Sequence, residues 1–475
     1  MRSSLTISLL CAAGALLLAS CNKAEEVTAT YTLSVQAGIG EQAVKALEVV
    51  DNEGKHHLKS TWGAADHVKV FTSLSTYEGS LSPDAEDYGK SSANLTGSIT
   101  GGTVEAGKLL LLRMPAVEMD YTGQDGSLSN IAAKYDYASS QVEVESVKNG
   151  VIKGKAPAVF QSEQAIVKFI LKDCNHDLIN PTSLTLDIQN AAGDSYIYTN
   201  ATAQALGPLT VEGIDPSKTA DGVYVALNVR SDDDFTPIDK VNVNAADGKF
   251  TYSFTRTGRV KFEKGKYYEI TLEPSATYVG EKKKLSEAKP AEHLGWVVDK
   301  DGFIYSTADA KRAKIDFHAV IVYFDENNTP GKRLCMAISD MEGSEGYPES
   351  NWERACSTDA QWYTNWVGNN SVAGYTWKVP SREEWANLWR YRNVLGSETF
   401  PVHDLLSAAG ASLADNDKAY YWTSTSYDSD QAFAFQIYDF EGLYEKVGDE
   451  YQYGFLDAYI KKDRTGVHTR YVFTF

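Results

Sequence analysis

Short apolar segments separated by turn residues follow one another from about Thr28 to Pro274. Examples are YTLSVQA, HVKVFTSL, KLLLLRM, AIVKFILKD, TSLTLDIQN and FTYSFTR. Each alternates apolar and polar residues, or is apolar throughout, over about four to eight positions, which is typical of strands. No long segment has the 3.6-residue period of a helix. The pattern predicts a mainly β protein, with a β-sandwich region over residues 21–275. That length fits one large sandwich or two of about 125 residues, with a split near residue 155.

The pattern changes twice after residue 275. Residues 276–292 are rich in Lys, Glu, Ser and Pro, and we interpret them as a linker, although KKKLSEA could form a helical turn. Residues 293–475 mix helical and strand patterns, so an α+β module is expected there. In this module GWVVDKDGFIY predicts a hairpin that turns near Asp301-Gly302. STADAKRAK predicts a short helix, and AVIVYFD and RLCMAISD predict strands.

Two helix starts have the spacing of a capping box, in which a Ser is followed three residues later by a Glu. The pairs are Ser350 with Glu353 in SNWERAC, and Ser381 with Glu384 in YTWKVPSREEWANLWRYRN. After the second box, one helix face carries Trp385, Leu388, Trp389 and Arg392. We therefore expect Glu384 to cap a helix and the tryptophans to pack in a core. The competing interpretation is an active-site wall.

The amino terminus, MRSSLTISLLCAAGALLLASC, has one basic residue, then an apolar run, then small residues. It predicts a secretory signal peptide over residues 1–20, because it is too short for a transmembrane helix. LASC is similar to a bacterial lipobox, which implies cleavage before Cys21 and lipid attached to its sulfur. The alternative is an ordinary signal peptide cut at a small-residue site. The following NKAEE is similar to the export tag of surface lipoproteins. We expect a surface-exposed lipoprotein that Cys21 anchors in the cell outer membrane.

The formal net charge of −19 makes nucleic acid an unexpected partner, because phosphate backbones are repelled. Of the five cysteines, Cys11 lies in the signal peptide and Cys21 is the lipid site. The remaining three are an odd number, which excludes a full disulfide framework. Cys335 and Cys356 could form a disulfide or be separate buried thiols, and Cys174 is left over.

Two segments have partial ligand motifs. GTVEAGKL has the spacing of a phosphate loop, but Leu109 follows where Ser or Thr is needed, and the segment leads into a predicted strand. VVDKDGFIYSTA places Asp299 and Asp301 as in a calcium loop, but Val297 and Ala308 replace the first and last carboxylates. There is no zinc spacing and no G-x-S-x-G segment. We expect no metal, no cofactor and no catalytic residue.

STWGAADHVKVF and FQSEQAIVKFILKD, together with the lipobox, resemble segments of the fimbrillin family of β-sandwich lipoproteins that build or anchor fimbriae. The likeness covers about residues 21–275. It implies partnership with other fimbrillin subunits by β-strand addition, in which one chain supplies a strand that the next lacks. Family members commonly lose their first strand by a cut after arginine, yet no arginine lies between Cys21 and Arg113. The family's donor strands end the sandwich, where this chain has another module, which implies a place at the end of a fibre or alone on the cell surface.

GWVVDKDGFIY, WKVPSREEW, YYWTSTSYDSDQAFAFQIY and the terminal TRYVFTF resemble lectin-like modules related to C-type lectins and sulfatase-modifying enzymes. The likeness covers about residues 293–475. The enzymes use a cysteine pair late in the module, whereas Cys335 and Cys356 lie in its first half. The triplets of calcium-dependent lectins are absent, and YPESNW is the nearest approach. The resemblance implies binding without turnover, and a sulfatase-modifying type of enzyme is the less favoured alternative.

Two loop-like stretches of the module, NWERACSTDAQWYTNWVGNNS and DFEGLYEKVGDEYQYGFLDAY, combine aromatic, amide and acidic residues. Aromatic rings cover the apolar faces of sugars or fill the pockets of a protein partner. The candidate ligand-contact residues are Trp362, Trp366, Tyr444 and Tyr453. We expect an adhesin, at the tip of a fimbria or associated with one, that binds a glycan or a surface protein. The alternative is a structural anchor or accessory subunit without a ligand of its own.

Overall fold

The computed structural model describes residues 29–39, 48–52, 55–59, 61–72, 77–230, 239–258, 260–341, 351–395, 401–411, 420–436, 444–447, 450–453, 456–463 and 467–475. The fold is mainly β, as the sequence predicts, and most of its helices follow residue 289. Buried side chains form one core in residues 31–160, a second in residues 119–272, and two adjoining cores after residue 284.

The first region, which we call the first sandwich, surrounds the core of residues 31–160. It contains β1 (Ala29–Ile39), β2 (Glu48–Asn52), β3 (Lys55–Lys59), β4 (Lys69–Phe71), β5 (Glu78–Gly79), β6 (Ser82–Pro83), β7 (Ser92–Gly101), β8 (Leu109–Met114), β9 (Ala138–Lys148), β10 (Val151–Gly154) and β11 (Ala158–Ser162). Between β8 and β9 the helical turn α1 (Leu128–Asn130) packs through Leu128 against the second core. Apart from the β2–β3 hairpin, these strands form one nine-stranded sheet with the order β4-β8-β9-β10-β1-β7-β5; β11 pairs with β1 and β9, and β6 with β7.

Strand β1 is paired along both sides, although it is the first strand that the structure describes. It runs antiparallel to β7, from Ala29 opposite Gly101 to Gly38 opposite Ser92. On its other side it is parallel to β10 and then to β11. Its alternate residues Leu33, Val35 and Ala37 are buried in the core, which is the two-residue period expected of a strand with one buried face.

The split predicted near residue 155 falls inside this sheet. Strand β11 pairs Ala37 with Ala158 and lies alongside β9, so the sheet extends to Ser162. The chain passes to the next sheet between Ser162 and Ala165. The predicted and observed boundaries differ because the turn after β10 resembles a domain boundary in the sequence. The pairing of β11 with β1 joins residues far apart in the chain, so no local pattern shows that the sheet continues.

The second region, which we call the second sandwich, has two five-stranded sheets, β15-β14-β17-β12-β20 and β16-β13-β18-β19-β21, packed over the core of residues 119–272. Its strands are β12 (Ala165–Leu171), β13 (Ser183–Gln189), β14 (Ile197–Asn200), β15 (Ala205–Leu206), β16 (Leu209–Glu212), β17 (Val223–Val229), β18 (Lys240–Ala246), β19 (Phe250–Thr257), β20 (Tyr267–Leu272) and β21 (Ser275–Tyr278). Every residue of β17 is buried. The side-chain amide of Gln124 helps to bury β17. It accepts the Ala226 N–H and donates to the Ala226 carbonyl, both at 2.8 Å.

Residues 276–292, expected to be a linker, are mostly part of the two neighbouring folds. Residues 276–278 belong to β21, which pairs with β19. Residues 283–284 form β22, which pairs with β24, and a 3-10 helix over Leu285–Glu287 buries Leu285. The Lys- and Glu-rich composition misled the prediction, because the few apolar residues among the charges are enough to fix both ends of the segment.

The third region is the C-terminal module. It contains β22 (Lys283–Lys284), α2 (Pro290–His293), β23 (Val297–Asp299), β24 (Phe303–Tyr305), α3 (Thr307–Arg312), β25 (Phe317–Tyr323), β26 (Leu334–Ala337), α4 (Trp352–Cys356), α5 (Gln361–Asn370), α6 (Arg382–Leu395), α7 (Pro401–Ala409), β27 (Tyr420–Ser426), β28 (Gln431–Gln436), β29 (Tyr444–Val447), β30 (Glu450–Tyr453), β31 (Leu456–Lys461) and β32 (Val472–Thr474). The sheets have the orders β22-β24-β23-β25-β26-β32, β27-β28-β31 and β29-β30. Over the ranges given above, no helix is both long and apolar enough to cross a membrane.

Several local predictions for this module are confirmed. The hairpin β23–β24 turns at Gly302, whose φ of +79° is a conformation that favours glycine. The Asp299 carboxylate holds the turn, accepting the N–H groups of Asp301 and Phe303 at 2.9 Å and the Tyr305 hydroxyl at 3.0 Å. Asp299 therefore supports the hairpin.

The second sandwich and the C-terminal module contact each other through α3. Arg312 donates from Nε and Nη2 to Asp173 Oδ2, at 3.1 and 2.8 Å, and its guanidinium lies 5.4 Å from the centre of the Phe250 ring. Lys249 and Asp309 form a second ion pair across the same boundary. Paired and stacked groups of this kind fix the orientation of neighbouring domains better than a solvated linker.

Candidate functional site

The stretch around α6 is part of the frame of the module. The Ser381 N–H donates to Glu384 Oε2 at 2.7 Å, and the Glu384 N–H donates to Ser381 Oγ at 3.2 Å, so the predicted capping box is present. Lys378 Nζ lies 2.5 Å from the other Glu384 oxygen. Trp385 is fully buried and stacks on Phe435, with ring centres 4.9 Å apart and planes at 5°. Glu384 is thus occupied by its capping role, as the sequence predicts.

Helix α4 begins one residue later than the sequence predicts. Its first N–H groups are capped by Asn351, whose side-chain oxygen accepts the Arg354 N–H at 2.9 Å. Ser350, the expected cap, lies outside the described residues. Asn and Ser are equally good caps, so the sequence alone did not separate the two neighbouring positions.

Trp362 and Trp366 both lie on α5 but have different surroundings. Trp366 is only 8% exposed and packs against Trp377 and Tyr471, with ring centres 5.4 and 4.8 Å apart. That burial contradicts a direct ligand contact for Trp366, because its faces are covered by other rings. Trp362 is half-buried, and the Arg354 guanidinium lies 5.9 Å from the centre of its ring. Its ligand contact stays a prediction.

Trp352, at the start of α4, forms the second ring–cation pair of the module. Lys462 Nζ lies 4.6 Å from the centre of the half-buried Trp352 ring. The Trp352 backbone N–H donates to the Lys462 carbonyl at 3.0 Å, and its indole N–H donates to the Thr423 carbonyl at 2.8 Å. Lys462 also donates to the Asp428 carbonyl at 2.8 Å. These bonds join α4 to the β27–β28 turn and orient the indole.

The turn between β27 and β28 carries the most exposed aromatic ring in the described part of the module. Tyr427 is 53% exposed and contacts Phe433 edge to face, with ring centres 5.5 Å apart. The Arg382 guanidinium lies 4.5 Å from the centre of the Phe433 ring. Asp428 Oδ1 accepts the N–H groups of Asp430 and Gln431, both at 2.7 Å, which fixes the turn that presents Tyr427.

These contacts make a set of three ring–cation groups: Trp362 with Arg354, Trp352 with Lys462, and Tyr427 with the buried Phe433 and Arg382. We call it the aromatic–cation surface, and it consists of Trp352, Arg354, Trp362, Arg382, Tyr427, Phe433 and Lys462. A cation stacked on a ring holds that ring in place and leaves the ring edges and the charged head at the surface. Such a surface can stack on a sugar or fill a cleft of a protein partner, while the cations supply hydrogen-bond donors.

A polar cluster supports the closing strand of the module. Arg470 Nε lies 2.6 Å from Asp340 Oδ1, and Nη1 donates to the Ala337 carbonyl at 2.9 Å. His468 Nδ1 lies 3.6 Å from Asp340 Oδ2, and the Tyr421 hydroxyl donates to that oxygen at 3.3 Å. Burial raises the pKa of Asp340, and the charges of Arg470 and His468 offset this only in part. The cluster joins the chain before β32 to β26, and we assign it a structural role.

The three described cysteines are free thiols, so the disulfide alternative for Cys335 and Cys356 is not the one found. Cys335 is completely buried, and burial raises its pKa well above the usual value. Burial also raises the pKa of Cys356, to about 12. Among the described residues, no three His, Cys, Asp or Glu side chains are grouped closely enough to hold a metal ion.

The remaining predicted residues are described incompletely. Tyr444 and Tyr453 are directly opposite each other in the β29–β30 pair, but their side chains lie outside the description. Cys21 also lies outside the described residues. Sequence reasoning missed Tyr427, Trp352 and Lys462. The signal for Tyr427 was available in SYDSDQ, where an aromatic residue is followed by the turn residues Asp, Ser and Asp.

The chain is similar to solved structures of fimbrial and candidate cell adhesion proteins. A fimbrial protein from Bacteroides ovatus matches over 94% of this chain and 100% of its own, with 12% identity and a TM-score of 0.24. A candidate cell adhesion protein from Bacteroides uniformis matches over 53% of this chain and 96% of its own, with 12% identity and a TM-score of 0.27. One from Parabacteroides distasonis matches over 50% and 88%, with 14% identity and a TM-score of 0.25. No known family and no curated protein matches the chain. TM-scores this low do not establish a shared fold, so no function is carried over from these proteins.

Proposed function

We propose that this protein is a cell-surface adhesin associated with a fimbria, which binds a glycan or protein ligand through its C-terminal module. The observation that carries the proposal is the aromatic–cation surface, which includes Tyr427, 53% exposed, and Trp362. The lipobox-like LASC supports anchoring in the outer membrane through lipid on Cys21. The resemblance of the sandwich region to fimbrillins supports the association with a fimbria.

We also propose that the module binds its ligand without chemical turnover. The acid in the most enzyme-like segment, Glu384, is engaged by the Ser381 N–H and by Lys378. Thiol chemistry of the sulfatase-modifying type needs a reactive thiolate, and the raised pKa values of Cys335 and Cys356 oppose its formation at neutral pH. The aromatic–cation surface, in contrast, has the composition found at binding hot spots, where aromatic residues and arginine predominate.

The test uses residues 22–475, which lack the signal peptide and the lipid-bearing cysteine. The protein is screened on an array of glycans and extracellular-matrix proteins, once with calcium and once with a chelator. For the ligand that is found, Tyr427→Ala and Trp362→Ala should each weaken binding about tenfold or more, as expected when a hot-spot ring is removed.

The matched control is Tyr88→Ala, because Tyr88 is also exposed, at 43%, but belongs to the first sandwich. It should leave the affinity unchanged. The proposal is contradicted if the folded protein binds nothing on the array, or if Tyr427→Ala and Trp362→Ala bind as tightly as Tyr88→Ala. Binding that is lost in the chelator would show that the interaction also requires a metal ion.

A second candidate function, an anchor or accessory subunit of a fimbria, is favoured by the position of β1. Strand addition requires a sheet position that an extended segment of another chain can fill. Strand β1 fills such a position, since it is paired on both sides and buries Leu33 and Val35. A chain beginning at residue 40 should bind a synthetic peptide of residues 29–39, and a peptide with both buried residues changed to Asp should not bind. If the shortened chain is folded but takes up neither peptide, strand exchange at this position is excluded.

A further inference from the structure

A cleft separates the first sandwich from the segment that leads into the second. Its volume is about 950 Å³, at the upper end of the size range of ligand pockets. One wall is made by residues 65–69 and 77–80 of the first sandwich. The other wall is made by residues 115–117 and 133–134, and the latter belong to a turn that buries Ile131 and Tyr135 in the core of the second sandwich. Clefts between two folded units are common ligand sites.

The cleft carries a local excess of positive charge. Lys69 and Lys134 line it together with His67, and Glu78 is the one acidic residue among the lining residues. Within the described part of the chain, neither lysine forms an ion pair with a carboxylate. His67 and Lys134 are exposed, and Lys69 is half-buried. This contrasts with the net charge of −19 for the whole chain, so the cleft is a place where an anion is attracted to an otherwise repelling protein.

The register of the sheet places a further cation next to Lys69. Lys69 on β4 is directly opposite Arg113 on β8. Both charged groups lie over the Phe71 ring, with Lys69 Nζ 5.9 Å and the Arg113 guanidinium 5.0 Å from its centre. Like charges directly opposite each other destabilise a strand pair. The Glu163 carboxylate attracts Arg113, so a bound anion would chiefly offset the charge of Lys69.

The lining also limits what kind of anion fits. Small residues make up much of the surface: Ala65, Gly79, Ser80, Ala116 and Ala133. Tyr77, the one aromatic residue of the lining, is only 1% exposed. A peptide partner usually anchors a large apolar side chain in an apolar pocket, and the apolar lining accessible here is limited to Val117, which is 57% exposed, Pro115 and small residues. A hydroxyl-rich chain with carboxylates matches a lining of small residues with two lysines and a histidine better.

We propose that this cleft binds a carboxylate-bearing oligosaccharide, with Lys69 and Lys134 as the residues that recognise the carboxylates. This site is distinct from the aromatic–cation surface, because it lies on the first sandwich and its junction with the second. A protein with both sites would contact a neutral or aromatic-stacking ligand with one module and an acidic polysaccharide with another. The two sites are tested by different ligands and different substitutions, so failure of one leaves the other standing.

The test is isothermal titration calorimetry, in which residues 22–475 are titrated with tetragalacturonic acid and, as the neutral counterpart, with maltotetraose. The acidic tetrasaccharide should bind, more weakly as the salt concentration rises, and maltotetraose should not. The double variant Lys69→Gln/Lys134→Gln should bind about tenfold more weakly, and Glu78→Gln about threefold more tightly, because the carboxylate that repels the ligand is removed.

The matched control is Lys148→Gln/Lys153→Gln, which removes two exposed lysines from β9 and β10 of the same sandwich. It changes the net charge equally and should leave the affinity within about twofold of the wild-type value. Equal weakening by both double variants would overturn the proposal, since binding would then follow net charge alone. Absence of binding, or equally tight binding of tetraglutamate, would overturn it as well. Unchanged thermal unfolding of the variants shows that the comparison concerns folded protein.

Discussion

Arg312→Ala removes the guanidinium that joins the C-terminal module to the second sandwich. Its partner Asp173 is 3% exposed, and one carboxylate oxygen accepts both Arg312 bonds, at 3.1 and 2.8 Å. The other oxygen accepts the N–H groups of Asn175 and Asp177, at 2.9 and 3.0 Å. Removing one partner of a buried pair costs about 3–5 kcal/mol. Because Arg312 is 30% exposed and Asp173 keeps its two backbone partners, we expect about 2–3 kcal/mol.

The assay is urea unfolding followed by tryptophan fluorescence. Every tryptophan except Trp62 lies in the C-terminal module, so the signal reports mainly on the module that Arg312 attaches. The control is Arg256→Ala, which makes the same chemical change at an exposed position on β19 and should cost under about 0.5 kcal/mol. A double-mutant cycle with Asp173→Asn separates the pairwise contribution from the effect of each single change.

The loss should depend on pH in a defined direction. Burial raises the pKa of Asp173, but the N–H groups of Asn175 and Asp177 and the Arg312 guanidinium outweigh it and hold the pKa below the usual range. A carboxyl whose pKa is lowered by folding adds stability above its unfolded pKa of about 3.9, and this stability is lost as the pH falls through the folded pKa. The difference between wild type and Arg312→Ala should be constant from about pH 5 to about pH 8 and should shrink below about pH 4. Equal stabilities of Arg312→Ala and Arg256→Ala at neutral pH would refute the reasoning.

Four further substitutions test packing and capping by urea unfolding. Gly101→Ala would place a Cβ 2.4 Å from the Tyr77 ring and should cost about 1–3 kcal/mol. Gly38→Ala, on the paired strand, meets nothing within 4 Å and should be neutral or stabilising by about 0.4–1 kcal/mol. Trp385→Ala leaves a cavity in the core of the module and should cost about 3–5 kcal/mol. Ser381→Ala removes one bond of the capping box and should cost about 1 kcal/mol.

Each of these expectations has a contrary result. Gly101→Ala and Gly38→Ala of equal stability would mean that the Tyr77 ring does not restrict the space beside β7. A cost below about 1 kcal/mol for Trp385→Ala would contradict its burial. Ser381→Thr keeps the hydroxyl and should lose less stability than Ser381→Ala, whereas equal losses would mean that the cap bond contributes nothing.

The features that the sequence predicted correctly depend on neighbouring residues. Strand β13 buries alternate residues because apolar and polar residues alternate in its sequence, SLTLDIQ. The capping box of Ser381 and Glu384 spans four positions, and the hairpin turn needs only a glycine that adopts a positive φ. Local geometry therefore sufficed to predict the mainly β class, the mixed C-terminal module and the framing role of the tryptophan-rich stretch.

Contacts between distant residues decided the rest. Trp362 and Trp366 lie four positions apart in the same helix, and only the packing of Trp377 and Tyr471 makes Trp366 a core residue. Tyr427 is exposed because of how its turn is placed on the module.

The amino-acid sequence by itself determined which segments become strands and helices, because periodicity, caps and turns act over a few residues. The tertiary structure alone decided where the sheets end, that residues 276–292 belong to the folds on either side, and that Arg312 meets Asp173. It also placed Lys69 and Lys134 in one cleft. Those outcomes depend on contacts between residues distant in the sequence, from the 28 positions that separate Phe250 from Tyr278 to the 139 that separate Asp173 from Arg312. No local pattern specifies which of many distant partners a residue will meet.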